Sequence, residues 1–286
     1  MPIIRPHRNV VVIGTGLIGG SLGMALKRAG WRVTASDRDR GALRQALRRG
    51  AASRICADPR KAVAGADTVV LAVPVQAMEG VMRRIAPALW KSTTVTDACS
   101  VKGPVVAAAA RCLPWPRMFV GAHPMSGRET PGIGAALPGL FHGHACIMTP
   151  VRGTSPRAVA RAGRLWRAAG CRIVRLSPAR HDRIVAAISH LPHAVAAALV
   201  RTGLHDRAAA RVFSGSFRDM TRIAASPPGL WDGIMHANRR ELARAARAFS
   251  RELARLIHAA GRRGPGLRRS LARSAADRKR LGVRGR

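Results

Sequence analysis

Residues 10–23 read VVVIGTGLIGGSLG, and the reading of the fold starts there. The apolar run through Ile13 predicts a short strand. Gly14, Gly16 and Gly19 follow in GxGxxG spacing. In such a turn Gly14 permits the tight reversal, Gly16 lets a pyrophosphate approach the backbone, and Gly19 lets the next helix pack on the strand. A helix opening at Leu17 and Ile18 offers free N–H groups to phosphate oxygens. The spacing alone is weak, because any glycine-rich turn can satisfy it. Its context is stronger: a second strand pattern over residues 31–36 ends at Asp37, 18 residues past Gly19. A carboxylate there holds ribose hydroxyls and repels a 2′-phosphate, which favours NAD. Arg38 and Arg40 keep NADP open, since either suits that phosphate.

Further strand patterns lie at residues 68–73, 93–96, 118–122, 145–149 and 172–176, with helix patterns at 17–29 and 75–86. This alternation predicts an α/β fold, a Rossmann-type doubly wound, mostly parallel sheet. After Ser177 the pattern is helical only. A dinucleotide-binding domain over 1–176 is therefore expected to precede an all-α C-terminal domain over 177–261. Residues 180–200 read as one long helix, which Pro192 should kink by removing an N–H and crowding the carbonyl of Ile188. Its apolar run is broken by Ser189, His190, Pro192 and His193, which fits a buried helix rather than a membrane span. Another helix is expected from Pro227 and Pro228. Leu242, Ala246, Phe249, Leu253, Leu256 and Ala260 then form one apolar stripe, facing either the core or a dimer seam. From Arg262 the chain holds ten Lys/Arg and one acid, Asp277, and a solvated, disordered tail is expected over 262–286.

Apolar residues make up 47% of the 286, enough for two packed domains, while only 3% are aromatic and none is tyrosine. Arginine far outnumbers lysine, which occurs only at 27, 61, 91, 102 and 279, a pattern that fits a GC-rich genome. The formal charge of +36 attracts anions of any kind. It is spread along the chain, and few aromatics offer a stacking surface. Those features favour a small anionic substrate over nucleic acid. The five cysteines form no CxxC pair, so neither a zinc site nor a disulfide framework is expected. Free thiols suit a reducing cytoplasm, and the first residues lack a signal peptide's apolar stretch.

Four more stretches carry chemistry: TDACSVKG (96–103), GAHPMSGRETPG (121–132), AISHLPHAVAAAL (187–199) and SGSFRDMTRIAASPPGLW (214–231). With the glycine loop, in this order, they resemble the prephenate/arogenate (cyclohexadienyl) dehydrogenases, over about residues 9–260. LFHGHACIMTP (140–150) fits the same pattern. The resemblance implies a nucleotide domain followed by a helical domain that forms a homodimer. It also implies oxidative decarboxylation of a cyclohexadienyl acid in tyrosine biosynthesis, with hydride passed to NAD and no metal.

On this resemblance His123 is the catalytic histidine that accepts the hydroxyl proton. Ser100 orients it; the plain alternative for Ser100 is an N-cap for a helix starting near Val101. Asp97 is either a turn residue or part of the same network. Ser189 and His193 form the substrate-side pair, four apart on one helix face. His190 reads more simply as a core histidine. Arg222 grips a substrate carboxylate, since a guanidinium can hold one by two parallel bonds. Asp219 orients Arg222 or gates access, and Glu129 sits at the pocket entrance. The plain alternative for each charged residue is a solvated surface. Ser216 stands where glycine is more usual, and Pro131 is a second departure.

Two other readings remain at this stage. Another two-domain dehydrogenase, acting on a small hydroxy acid, would fit the fold. The members that use a lysine fit poorly, because residues 177–261 contain none. A basic nucleotide- or nucleic-acid-binding protein without catalysis would bind with a steep salt dependence.

Overall fold

The computed structural model describes residues 8–206 and 208–281. The first half is built from β1 (Asn9–Ile13), α1 (Leu17–Arg28), β2 (Arg32–Ser36), α2 (Arg40–Arg48), β3 (Arg54–Ile55), α3 (Pro59–Val63), β4 (Thr68–Leu71), α4 (Val75–Ile85), β5 (Thr94–Asp97), α5 (Gly103–Cys112), β6 (Phe119–Pro124), β7 (Ala145–Thr149), α6 (Pro156–Ala168) and β8 (Arg172–Arg175). The eight strands form one sheet in the order β3-β2-β1-β4-β5-β6-β7-β8. All neighbours run parallel except β6 and β7. The first six strands thus follow the doubly wound order 3-2-1-4-5-6.

The central strands β1 and β4 are apolar after their first residue because helices cover both faces. Val10 and Val12 face a core with Leu22 and Leu26 of α1 and Trp166 of α6. Val11 and Ile13 face the other, with Met78 and Met82 of α4 and Val105 of α5. Each such aliphatic side chain contributes about 1.5–3 kcal/mol by leaving water. Short side chains set the helix starts: the carboxylate of Asp39 accepts from the N–H groups of Gly41 and Ala42, and Ser177 accepts from that of Arg180.

The second half is helical: α7 (Pro178–Val185), α8 (Leu191–Gly203), α9 (Ala209–Val212), α10 (Gly215–Thr221), α11 (Pro228–Ala237), α12 (Arg239–Ala260) and α13 (Gly266–Arg280). The kink expected at Pro192 takes the form of a π turn over Ala186–His190, joining α7 to α8. The wider turn absorbs the carbonyl that the proline ring would otherwise meet.

Three expectations change here. The disordered tail is instead helical over Gly266–Arg280, where leucine, alanine and arginine all favour helix; residues 282–286 lie outside the described residues. The apolar stripe of α12 is not a core-facing one within a single chain: Phe249 and Leu253 are exposed. The 178–203 segment is long and apolar enough to cross a membrane, yet only 28% of its apolar window is buried in one chain. His181, Asp182, His190 and His193 on that segment face inward. Ile188, Phe213, Leu253 and Ile257 of the helical half are large apolar side chains left exposed in the single chain.

Candidate active site

Strand order reverses between β1 and β4, and a cleft of about 840 Å3 opens there. Gly14, Gly16, Leu17 and Ile18 line it from the loop after β1, and Asp37 and Arg38 from the end of β2. Cys99 and Ser100 contribute from beyond β5, Glu129 and Pro131 from beyond β6, and Pro227, Leu230 and Ile234 from the helical half. Gly14 has φ +95°, a left-handed conformation that suits glycine. A Cβ on Gly16 would meet no atom within 4 Å, so its backbone faces open cleft. Gly19 does not line the cleft; a Cβ there would overlap the carbonyl oxygen of Gly14, which is the close helix–strand packing expected of it.

Asp37 is fixed in place. Its Oδ2 accepts from the Thr15 N–H at 2.6 Å and the Thr15 hydroxyl at 2.9 Å, and its Oδ1 accepts from the Asp39 N–H at 3.0 Å. A carboxylate has about four lone-pair directions, so Oδ1 keeps one for a ribose hydroxyl. A bare glycine backbone and an anchored carboxylate at the cleft fit a dinucleotide.

His123 lies within β6, opposite Ile147 of β7, and is 8% exposed. The strand therefore extends past residue 122, where the sequence pattern ended it. His123 Nδ1 lies 2.8 Å from His181 Nε2, and His181 Nδ1 lies 2.7 Å from Asp182 Oδ1. The Asp182 carboxylate also accepts from the N–H groups of Lys102 and Gly103, each at 2.7 Å. The helix expected to start near Val101, capped by Ser100, is thus corrected: α5 begins at Gly103, and the Asp182 carboxylate of α7 caps it. Asp97, left open by sequence, is fully buried. Its Oδ1 accepts from the Ala122 N–H at 2.9 Å and its Oδ2 from the Cys99 N–H at 2.9 Å and the Lys102 ammonium.

Burial, then His181, Lys102 and His190, push His123 well below the ordinary histidine pKa. Burial raises the Asp182 carboxyl, but hydrogen bonds from His181, Gly103 and Lys102 outweigh it and leave its pKa below the usual aspartate value. Neither His123 nor Asp182 lines the cleft itself. Asp97 makes the link, accepting from Ala122 next to His123 and from Cys99 of the cleft wall. Buried groups so perturbed are typical of functional sites.

From the helical half, His193 stacks on Trp231, ring centroids 3.6 Å apart and planes 10° inclined. Its Nδ1 is buried with no hydrogen-bond partner among the described residues. Ser189 is half-buried in the π turn, so it and His193 are joined by that turn and not by plain α-helix. His190 is fully buried, with Nδ1 3.2 Å from the Asn238 amide nitrogen. Arg222, which does not line the cleft, pairs with Glu129 of the cleft wall rather than with Asp219, which is exposed on α10. Ser216 is exposed on the same helix. No group of three His, Cys, Asp or Glu side chains is placed to hold a metal among the described residues.

Lys102, His181, Asp182, Asn238 and Trp231 were not singled out by sequence. Lys102 carried a signal: a lysine kept in a chain so biased to arginine.

What the fold and cleft define is a class: a two-domain, NAD-dependent dehydrogenase, its cofactor loop on the sheet and its second wall made of helices. Residues 22–175 match the prephenate dehydrogenase nucleotide-binding domain, and residues 177–272 the prephenate dehydrogenase dimerization domain. A cyclohexadienyl dehydrogenase from Zymomonas mobilis is 38% identical over 240 residues, 81% of each chain. The crystal structure of prephenate dehydrogenase from A. aeolicus, in complex with hydroxyphenyl propionate and NAD+, superposes with a TM-score of 0.89 at 29% identity, covering 97% of this chain and 99% of that one. Synechocystis arogenate dehydrogenase superposes with a TM-score of 0.82 at 29% identity, covering 95% and 99%. The chain belongs to the prephenate dehydrogenase family.

Proposed function

We propose that this chain oxidises and decarboxylates prephenate, and arogenate as a second substrate, in tyrosine biosynthesis, working as a cytoplasmic homodimer. The observation that carries this reading is His123, buried and hydrogen-bonded through Nδ1, on a strand that Asp97 ties to Cys99 in the wall of a cleft that fits a dinucleotide. The chemistry supplied by bound NAD is acceptance of hydride from the ring carbon bearing the hydroxyl; the ring carboxylate leaves as CO2 and the ring becomes aromatic. His123 Nε2 takes the hydroxyl proton, and its lowered pKa keeps it neutral and ready. Ser100, on the cleft wall, holds that hydroxyl in line. Gly14, Gly16, Leu17 and Ile18 receive the pyrophosphate, Gly19 sets the helix against the strand, and Asp37 takes the adenosine ribose with Arg38 beside it.

Arg222 holds a substrate carboxylate once Glu129 releases it. Ser189 and the unpartnered Nδ1 of His193 meet the substrate's polar groups, with Trp231 fixing the imidazole plane. Asp219 acts at the cleft mouth. The domains divide at 176/177, where β8 has ended and α7 begins. A second copy covers the exposed apolar surface of the 177–261 half. The more anionic prephenate is the better substrate of a chain this basic.

The test is NADH formation with prephenate and with arogenate, using His123→Asn as control. Turnover of prephenate, lost by about 10²-fold or more in the variant, is expected. Turnover of neither substrate, or a variant at full rate, overturns the reading.

A further inference from the structure

We propose that His181 and Asp182, on the first helix of the second domain, are positioning residues that hold His123 in the tautomer with a bare Nε2. The proposal rests on the reading of His123 as the base.

The argument is one of donors and acceptors. An ionised carboxylate only accepts, so the 2.7 Å contact between Asp182 and His181 places a proton on His181 Nδ1. Neutral His181 then has an acceptor at Nε2. The 2.8 Å contact from that atom to His123 in turn places a proton on His123 Nδ1. The remaining nitrogen of neutral His123, Nε2, carries the lone pair that a substrate hydroxyl needs. The two rings meet edge to face, centroids 5.1 Å apart and planes 66° inclined. The row is held at its far end by the backbone N–H groups of Lys102 and Gly103, and from behind by the Asn238 amide, which donates to the Asp182 carbonyl at 2.9 Å.

The other groups facing His123 do not compete for its Nδ1. Lys102 is spent on Asp97 and the Ala122 carbonyl. His190 meets Asn238 through Nδ1 and leaves its Nε2 without a hydrogen-bond partner among the described residues, so the contact made by His123 Nδ1 is the one to His181. When Nε2 takes the substrate's proton, Nδ1–H stays bonded to His181, and the Asp182 charge faces the new imidazolium through one ring. Burial would otherwise oppose that cation. His181 and Asp182 reach β6 only because the helical half is docked, so the base is set by the domain that also supplies the substrate side.

The ring-nitrogen NMR spectrum of the 15N-histidine-labelled free protein near pH 8 reads the tautomer directly, with His123 assigned from the His123→Asn spectrum. The expected proton is on Nδ1; a proton on Nε2 overturns the proposal. This reading needs no substrate, so it stands apart from failure of the proposed reaction. In turnover, H181F is expected to lose about 10²-fold in kcat with KM and NAD affinity held, and to move the acid limb of the pH profile. H181Q, whose amide oxygen can accept from Nδ1–H, should recover at least about tenfold over H181F. A folded H181F within about twofold of wild type, with the same pH profile, sinks the idea. If H181F does not fold, the NMR result on the wild type decides.

Discussion

The Lys102 ammonium meets the Asp97 carboxylate with neither side chain exposed to water. The same ammonium donates to the Ala122 carbonyl at 2.7 Å, so one lysine ties the end of β5 to the strand that carries His123. Removing one partner of such a pair leaves a buried, uncompensated charge. Lys102→Met is expected to cost about 3–5 kcal/mol and to lower Tm by roughly 10 °C. The double variant K102M/D97N, which removes both charges, should lose less than K102M alone. Thermal melts of the two variants check this ordering.

The three loop glycines separate binding from folding. Gly16 faces open cleft, so Gly16→Ala should keep its Tm while weakening NAD binding tenfold or more, about 1.4 kcal/mol. Gly19→Ala forces a Cβ into the Gly14 carbonyl and should lower Tm as well as affinity. Calorimetric titration with NAD beside a melt distinguishes them, and equal Tm losses would contradict the assignment.

Acid lability follows from the buried histidines. Burial pushes His190 down to about 4 and lowers His193, and His123 lies well below its ordinary value. In the unfolded chain all three titrate near 6.5. Their folded values are depressed, so the unfolded chain binds protons first as pH falls. The stability they contribute is whole above about pH 6.5 and shrinks below it, with His123 and His190 contributing most of the loss. Denaturant midpoints should be flat from about pH 8 to 7 and fall from 6.5 towards about 5. Asp182, with its lowered pKa, adds a loss only near and below the ordinary aspartate range.

Arg222 and Glu129 keep 62% and 39% of their side-chain surface exposed, so the pair adds under about 1 kcal/mol to stability. On the proposed function its role lies in substrate binding, where an incoming carboxylate would displace Glu129. Glu129→Gln should lower KM for prephenate by up to about fivefold at unchanged Tm. Arg222→Ala should raise KM by tenfold or more, and Arg222→Lys should recover little of it. Steady-state kinetics with NAD saturating measures both.

The sheet was legible because a central parallel strand is mostly apolar, as 10–13 and 69–73 are. The glycine loop was legible because its residues act through sequence spacing. His123, Ser100 and Arg222 stood out through the motifs around them. His181 and Asp182 did not, because their meaning lies in contacts to residues 58 and 80 positions away. The α13 helix was missed for a different reason: charge density outweighed propensity in the reading, while leucine, alanine and an Arg280–Asp277 pair favour helix. The half-exposed stripe of α12 could not be resolved from periodicity alone, which marks a face and not what covers it.

The cap that Asp182 places on α5 bears on how such an enzyme can be inherited. Each half looks like a cassette: one carries the nucleotide loop, the other the helices. Yet α5 opens on amides that a residue of the other half satisfies, and the ring orientation of His123 is set from the same place. On the proposed role of His123, a recombinant whose foreign helical half lacked His181 and Asp182 would arrive with its base unaligned. The two halves share this carboxylate, and a change in either reaches the other through it.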